Sequence, residues 1–228
     1  MNHRFTFADV PLVALPSGAL YWPTERLLVV SDLHFGKSAR LARRGGALLP
    51  PYETPATLER LEVDVGATGA VRVLCLGDSF DDSAAGEEMD EASRQKLLRL
   101  MAGRDWIWAE GNHDPEPGNS GGSHVAEFRL GPLTFRHIAR PGAVAEVSGH
   151  YHPKARLAGQ SVPCFLLSDP ERLILPAYGT YAGGLDCAAP ALAPFVGPAA
   201  LAILTGRRCR AIPITGGIVP QTSCGAGG

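Results

Sequence analysis

Along the chain, short unbroken apolar runs alternate with segments whose apolar residues recur at helical spacing. Residues 27–31 (Leu-Leu-Val-Val-Ser) form one such run and end in Asp32-Leu33-His34. A continuous apolar stretch of this length reads as a buried strand, and the polar residues then fall at its C-terminal edge. Residues 71–76 repeat the pattern and end in Gly77-Asp78, and residues 106–109 lead into Gly111-Asn112-His113-Asp114. Between them, residues 54–65 carry Leu58 and Leu61 among charged residues, and residues 87–101 place acids early and Leu97, Leu98, Leu100 and Met101 late. Both segments predict helices, the second charged to suit its own dipole. Trp106 and Trp108 in the third strand are expected to divide between the core and the helical layer.

After a Gly-rich loop at 118–122 the texture changes to short strand-like runs near 124–130, 133–138, 144–149, 162–167 and 172–176, with few helix signals. Alternating strand-helix units followed by a strand-rich half predict an α/β fold of two facing mixed β-sheets flanked by helices, with parallel pairing in the first half. Residues 1–215 are expected to form a single domain. Residues 216–228 are rich in glycine with little to pack, and are expected to be a flexible tail.

Composition narrows the classes. Of 228 residues, 45% are hydrophobic and 19% charged, which fits a globular protein and excludes a disordered or fibrous one. The formal net charge of −2 provides no global positive field, so any nucleic-acid binding must rest on a local basic patch. The five cysteines form no Cys-x-x-Cys pair, and reduced, mostly buried thiols are expected. Asp9 and two prolines interrupt the apolar N-terminal stretch, which therefore lacks the form of a secretory signal, and no run reaches membrane-spanning length. A cytoplasmic protein is expected.

The polar clusters at the strand ends carry the chemistry. Five of the seven histidines (His34, His113, His137, His150 and His152) fall in them, and only His3 and His124 do not. Asp-x-His and His-x-His, if extended, put two donors on one face, so that one metal would be gripped by both. Carboxylates, imidazoles and an amide without thiolates suit manganese, iron, zinc or cobalt. In a two-metal centre a carboxylate bridges the ions, and Asp78 is the candidate. Two divalent cations less two carboxylates and a hydroxide leave a net charge of about +1, which favours an anionic phosphate.

Asp32-x-His34, Gly77-Asp78-x-x-Asp81, Gly111-Asn112-His113-Asp114, an isolated His137 and Gly149-His150-x-His152 resemble the motif blocks of the calcineurin-like metallophosphoesterases. The resemblance implies a four-layer α-β-β-α sandwich. It also implies two divalent metals, manganese foremost with iron or zinc as the other fits. Asp32, His34, Asp78 and His152 would hold one, and Asp78, Asn112, His137 and His150 the other. His113 would protonate the leaving oxygen, and Asp114 would orient its imidazole.

A closer resemblance, carried by Leu20-Tyr21-Trp22-Pro23, Arg43-Arg44-Gly45, Leu49-Pro50-Pro51-Tyr52, His152-Pro153-Lys154-Ala155-Arg156 and residues 173–185, is to the ligase-associated DNA damage response endonucleases. That implies a DNA phosphodiesterase working in repair beside a ligase and a helicase. The same metals would serve a phosphatase or pyrophosphatase of a small metabolite. An inactive scaffold is the non-enzymatic alternative, and the complete ligand blocks argue against it.

Arg43 and Arg44, close behind the first block, and Lys154 and Arg156, beyond the last, are the candidate phosphate contacts; the bland reading of each is a solvated surface charge. Family members commonly follow the second aspartate of the Gly-Asp-x-x-Asp block with Arg or Asn and then Gly, where this chain has Asp82-Ser83. An acidic pair there is expected to repel a highly charged monoester and to favour diesters. Tyr178 and Tyr181 lie in a Gly-rich stretch where a ring would either stack on a base or pack in the core.

Overall fold

The computed structural model describes residues 1–46, 48–82, 85–113 and 121–214. The chain opens with an antiparallel meander, β1 (His3–Phe7), β2 (Val10–Ala14), β3 (Leu20–Trp22) and β4 (Leu27–Val30). Two helices follow, α1 (Lys37–Arg43) and α2 (Glu53–Thr68), then β5 (Arg72–Leu76), α3 (Glu91–Met101), β6 (Asp105–Ala109) and β7 (Ser123–Val125). Among the described residues these strands make one sheet in the order β1-β2-β3-β4-β5-β6-β7, parallel from β4 to β7. The second half supplies β8 (Phe128–Leu130), β9 (Leu133–Phe135), β10 (Glu146–Ser148), β11 (Lys154–Leu157), β12 (Gln160–Ser168), β13 (Arg172–Ile174), β14 (Leu201–Leu204) and β15 (Arg210–Pro213). They form a second, mixed sheet ordered β15-β14-β12-β13-β10-β9-β8, with β11 paired to β12.

The apolar runs are continuous because both faces of each central strand are covered. Leu27, Val29, Leu74, Leu76, Ile107 and Ala109 point from the first sheet into a core shared with Phe135, Val147, Phe165, Leu167, Leu173 and Ile203 of the second. The alternate residues Leu28, Val30, Val73 and Cys75 face outward and bury Leu58, Leu61 and Val65 of α2 and Leu97 and Leu100 of α3. The outer face of the second sheet (Cys164, Leu166, Ile174, Ala202, Leu204) is covered by Leu192 and Phe195, the latter in a 3-10 turn at Ala193–Phe195. The two-sheet α/β sandwich expected from the sequence is present. The layer over the second sheet is mostly irregular chain.

Several local expectations shift. α3 begins at Glu91, not Glu87, because the Asp90 carboxylate accepts a hydrogen bond from Ser93 N at 2.9 Å and caps the helix there. α2 runs to Thr68 and stops at Gly69, whose φ of 61° takes the left-handed turn that ends a helix. Trp106 and Trp108 do not divide between layers: residues two apart on a strand share a face, and both rings pack on the helical side with centroids 5.7 Å apart. Cys75, Cys164 and Cys187 are buried and Cys209 is half-buried, matching the expectation of mostly buried cysteines. Cys224 and the whole 216–228 segment lie outside the described residues. Among the described residues no helix is long and apolar enough to cross a membrane.

Two neighbouring leucines of α3 test the packing. Leu97 is 4% exposed and Leu98 is 47% exposed. Leu97→Ala is expected to lower the unfolding free energy by about 2–5 kcal/mol, and Leu98→Ala by less than about 0.5 kcal/mol, in urea titrations followed by circular dichroism. Equal losses would contradict the assignment of the buried face.

Candidate metal centre

The parallel strands β4, β5 and β6 end at a common edge, and the residues just past each end are Asp32, Asp78 and Asn112. In the second sheet β9 and β10 are parallel, and His137 and His150 follow them. Backbone pairing continues beyond the regular strands: Asp32 N donates to Gly77 O (3.2 Å), His34 N to Asp78 O (3.0 Å), Gly149 N to His137 O (2.9 Å) and Gly179 N to Asp32 O (3.0 Å). The polar clusters of both sheets are thereby laced into one site.

The predicted donors reach it by leaving strand geometry. Asp32, His34, Asp78, His150 and His152 all have φ between 46° and 69°, the left-handed region that costs a non-glycine residue of order 1–2 kcal/mol. The extended same-face expectation for Asp-x-His and His-x-His is therefore corrected. Asp32 and His34 do share a group, with His152, whereas His150 falls in the other, with Asp78 and His137. Glycine is required where these turns meet. A Cβ on Gly77 would sit 2.4 Å from the His137 ring, and one on Gly149 would sit 1.8 Å from Ser31 Oγ and 2.6 Å from Asp32 Oδ2.

In the first group, Asp32 is fully buried. Its Oδ2 accepts from Ser31 Oγ (2.5 Å) and His150 N (3.0 Å), and its Oδ1 lies 3.1 Å from His152 Nε2. Burial alone would push the Asp32 carboxyl up, but the bond and charge of His152, with His137 and Ser31, hold it below the usual range. His34 turns Nδ1 toward Asp81 Oδ1 at 2.9 Å, short of an aligned hydrogen bond, and its Nε2 is buried without a partner, as is Asp32 Oδ1. The His34 ring packs edge-on against those of His152 (5.4 Å) and His113 (5.7 Å).

In the second group, His137 Nδ1 donates to the Leu76 carbonyl at 3.0 Å, which turns Nε2 toward the other donors; burial acts to lower this imidazole, but the bond and charge of Asp78 and the charge of Asp32 raise it above the usual range. That nitrogen stands 3.0 Å from Asn112 Oδ1, 3.3 Å from Asp78 Oδ2 and 3.3 Å from His150 Nδ1. Asp78 Oδ1 accepts from His113 N at 2.9 Å. Burial acts to raise the Asp78 carboxyl, yet the bond and charge of His137 and the His113 N–H bring it down to about 2. Burial and the charge of His137 push the His150 imidazole down, toward the neutral form that binds metals. The two groups abut, with His137 Nδ1 only 4.0 Å from Asp32 Oδ1.

Three donor atoms around His137 Nε2, and those of His34 and His152 around Asp32 Oδ1, therefore converge with too few protons to share, and part of that set is buried without any partner. Carboxylate, imidazole and amide donors in this arrangement fit two divalent cations.

Supporting residues to which the sequence had assigned no such role are Ser31, beside Asp32, and Arg40, whose guanidinium grips Asp81 Oδ2 while Asp81 Oδ1 faces His34. The helical spacing between Arg40 and Arg43 was the available signal. Asp82 pairs with Arg43 at 2.7 Å, and Arg43 also pairs with Glu88. The acidic pair is thus neutralised by the chain's own arginines, which corrects the expectation that it repels phosphate. Of the candidate phosphate contacts, Arg43 is occupied in this way, Arg156 pairs with Asp186 (3.1 Å) on an exposed edge, Arg44 is exposed beyond α1, and Lys154 stands two residues past His152. His113 has a side chain 37% exposed at the rim of the centre. Asp114 lies outside the described residues.

Comparison with known proteins agrees with this geometry. Residues 25–165 match the family model of the calcineurin-like phosphoesterases. The crystal structure of Pseudomonas putida nuclease MPE superposes with a TM-score of 0.73 at 26% sequence identity, covering 93% of this chain and 100% of that one. A search of curated protein sequences finds no match. With the family match spanning more than half the sequence and two donor groups that could each hold a metal ion, the chain is a metal-dependent hydrolase that belongs to the calcineurin-like phosphoesterase family.

Proposed function

We propose that this protein is a phosphodiesterase that cleaves DNA with two divalent cations, manganese foremost. Asp32, His34 and His152 would hold one, Asn112, His137 and His150 would hold the other, and Asp78 would serve both. The observation that carries the reading is the crowding of lone pairs at His137 Nε2, where an amide oxygen, a carboxylate oxygen and a second imidazole nitrogen all lie within 3.3 Å. A proton satisfies at most one of those contacts; a cation satisfies all of them. Divalent cations bound there supply Lewis acidity to water and positive charge to a phosphoryl oxygen.

The chain's own residues do the rest. The Leu76 carbonyl fixes the tautomer of His137, and Asp81 faces His34 Nδ1, so each ring offers Nε2 to the centre. We assign His113 the protonation of the leaving oxygen. Its backbone is tied to Asp78 while its ring stays at the solvent rim, an arrangement that supports contact with a substrate. Asp114 is assigned the orienting of that ring on the family resemblance. DNA as substrate is supported by the nuclease that superposes on nearly the whole chain. Work beside a repair ligase and helicase belongs to the same proposal and rests on the resemblance.

The direct test is hydrolysis in manganese of bis-p-nitrophenyl phosphate and of DNA against p-nitrophenyl phosphate. The diesters are expected to exceed the monoester by at least about tenfold in kcat/KM. A preference for the monoester would favour a small-metabolite phosphatase instead.

Metal analysis separates the roles of individual residues. His113→Ala is expected to keep two metals per chain while kcat falls about 10²–10⁴-fold, because the backbone N–H that holds Asp78 survives the substitution. Asp78→Asn is expected to lose both metal and turnover. A His113→Ala variant at parental rate, measured by steady-state kinetics alongside mass-spectrometric metal counting, would refute the role given to that ring.

A further inference from the structure

A cavity of about 540 Å³ opens beside His152, between β11 and the 177–183 segment. Its volume lies in the range of a small-ligand site. No aspartate or glutamate appears among the described residues that line it, whereas Arg60 and Lys154 both do. Neither cation forms an ion pair among the described residues, in contrast to Arg40, Arg43 and Arg156, which are all occupied by carboxylates. Arg60 is partly engaged, lying over the Tyr178 ring at 4.8 Å and feeling the charge of Asp64, so Lys154 is the cation that the cavity offers to an anion beside the candidate metal centre.

Its wall adds a ring. Tyr178 is fully buried, with its hydroxyl on Asp64, but Tyr181 lines the cavity and is 37% exposed. The segment that carries it is held by Pro50, Thr57 and Arg60. Tyr181 Oη donates to Pro50 O at 3.2 Å, Thr180 N donates to Thr57 Oγ1 at 3.2 Å, and Arg60 Nη2 donates to Thr180 Oγ1 at 3.2 Å. Gly184 lets the segment close on β11, since a Cβ there would sit 2.3 Å from His152 O.

We infer that this cavity is a nucleotide subsite: it takes an unpaired nucleotide next to the cleaved phosphate, with Lys154 facing its phosphate and Tyr181 stacking on its base. The inference rests on the phosphodiesterase reading above. The positive lining selects an anion, and a stacking ring selects a planar base. The volume favours an unpaired residue, because a paired base would bring its partner into a space sized for one small ligand.

The experiment compares kcat/KM for a single-stranded oligonucleotide, a blunt duplex of the same sequence and bis-p-nitrophenyl phosphate. Tyr181→Ala and Lys154→Gln are each expected to lower the ratio of single strand to bis-p-nitrophenyl phosphate about tenfold, mainly through KM. Tyr181→Phe, which keeps the ring and loses the bond to Pro50, is expected to retain the parental ratio. Lys154→Gln is also expected to flatten the salt dependence by about one phosphate contact. Ratios unchanged within about twofold would overturn the subsite, and so would a Tyr181→Phe loss equal to that of Tyr181→Ala. An equal fall on the duplex would overturn its selectivity for an unpaired strand. A parent enzyme unable to cleave bis-p-nitrophenyl phosphate would instead sink the phosphodiesterase reading on which the subsite stands.

Discussion

Buried electron-pair donors cannot face one another without something positive between them, and that constraint organises this molecule. Asp32 and Asp78 are nearly inaccessible, and imidazoles, an amide and each other's neighbours are turned toward them instead of apolar side chains. Burying such groups costs several kcal/mol unless they are compensated. Five of the converging residues also take left-handed backbone conformations. Costs of this kind persist where surrounding structure over-determines the geometry, and here parallel strands and the bonds that extend them do so. Two strand edges, one from each sheet, are brought together so that donors scattered from residue 32 to residue 152 meet.

Charge around the centre is sorted with equal economy. Arg40 and Arg43 are bound to Asp81 and Asp82, which frees Asp81 Oδ1 to face His34 and leaves no naked acidic pair at the mouth. Lys154 has no ion-pair partner among the described residues where the cavity meets His152. A chain with a net charge of −2 thus carries a local cation, Lys154, beside its candidate metal centre, although its total charge gives no hint of it.

Much of this was legible in the residues, for physical reasons. The runs at 27–31, 71–76 and 106–109 read as buried strands because both faces of each are covered, and the donors were visible because they sit where those runs end. The N-terminal meander, residues 3–22, gave no comparable signal. Its pairing with β4 depends on contacts that a local pattern does not encode. The distribution of donors between two groups was misread where it relied on strand periodicity, since φ near 46–69° rotates consecutive side chains away from alternation. The state of the arginines was hidden for another reason: Arg43 and Arg156 meet carboxylates 30 or more positions away. Family resemblance supplied the assignment of donors to two ions, and the geometry independently brings the same residues into two adjoining groups.

The central claim is that two cations complete this arrangement, and anomalous X-ray scattering from crystals soaked in manganese tests it most directly. Two peaks are predicted, roughly 3.5–4 Å apart. One should lie in contact with Asp32, His34 and His152, the other with Asn112, His137 and His150, and Asp78 should touch both. A single peak at saturating manganese, or a second peak away from these residues, would contradict the account.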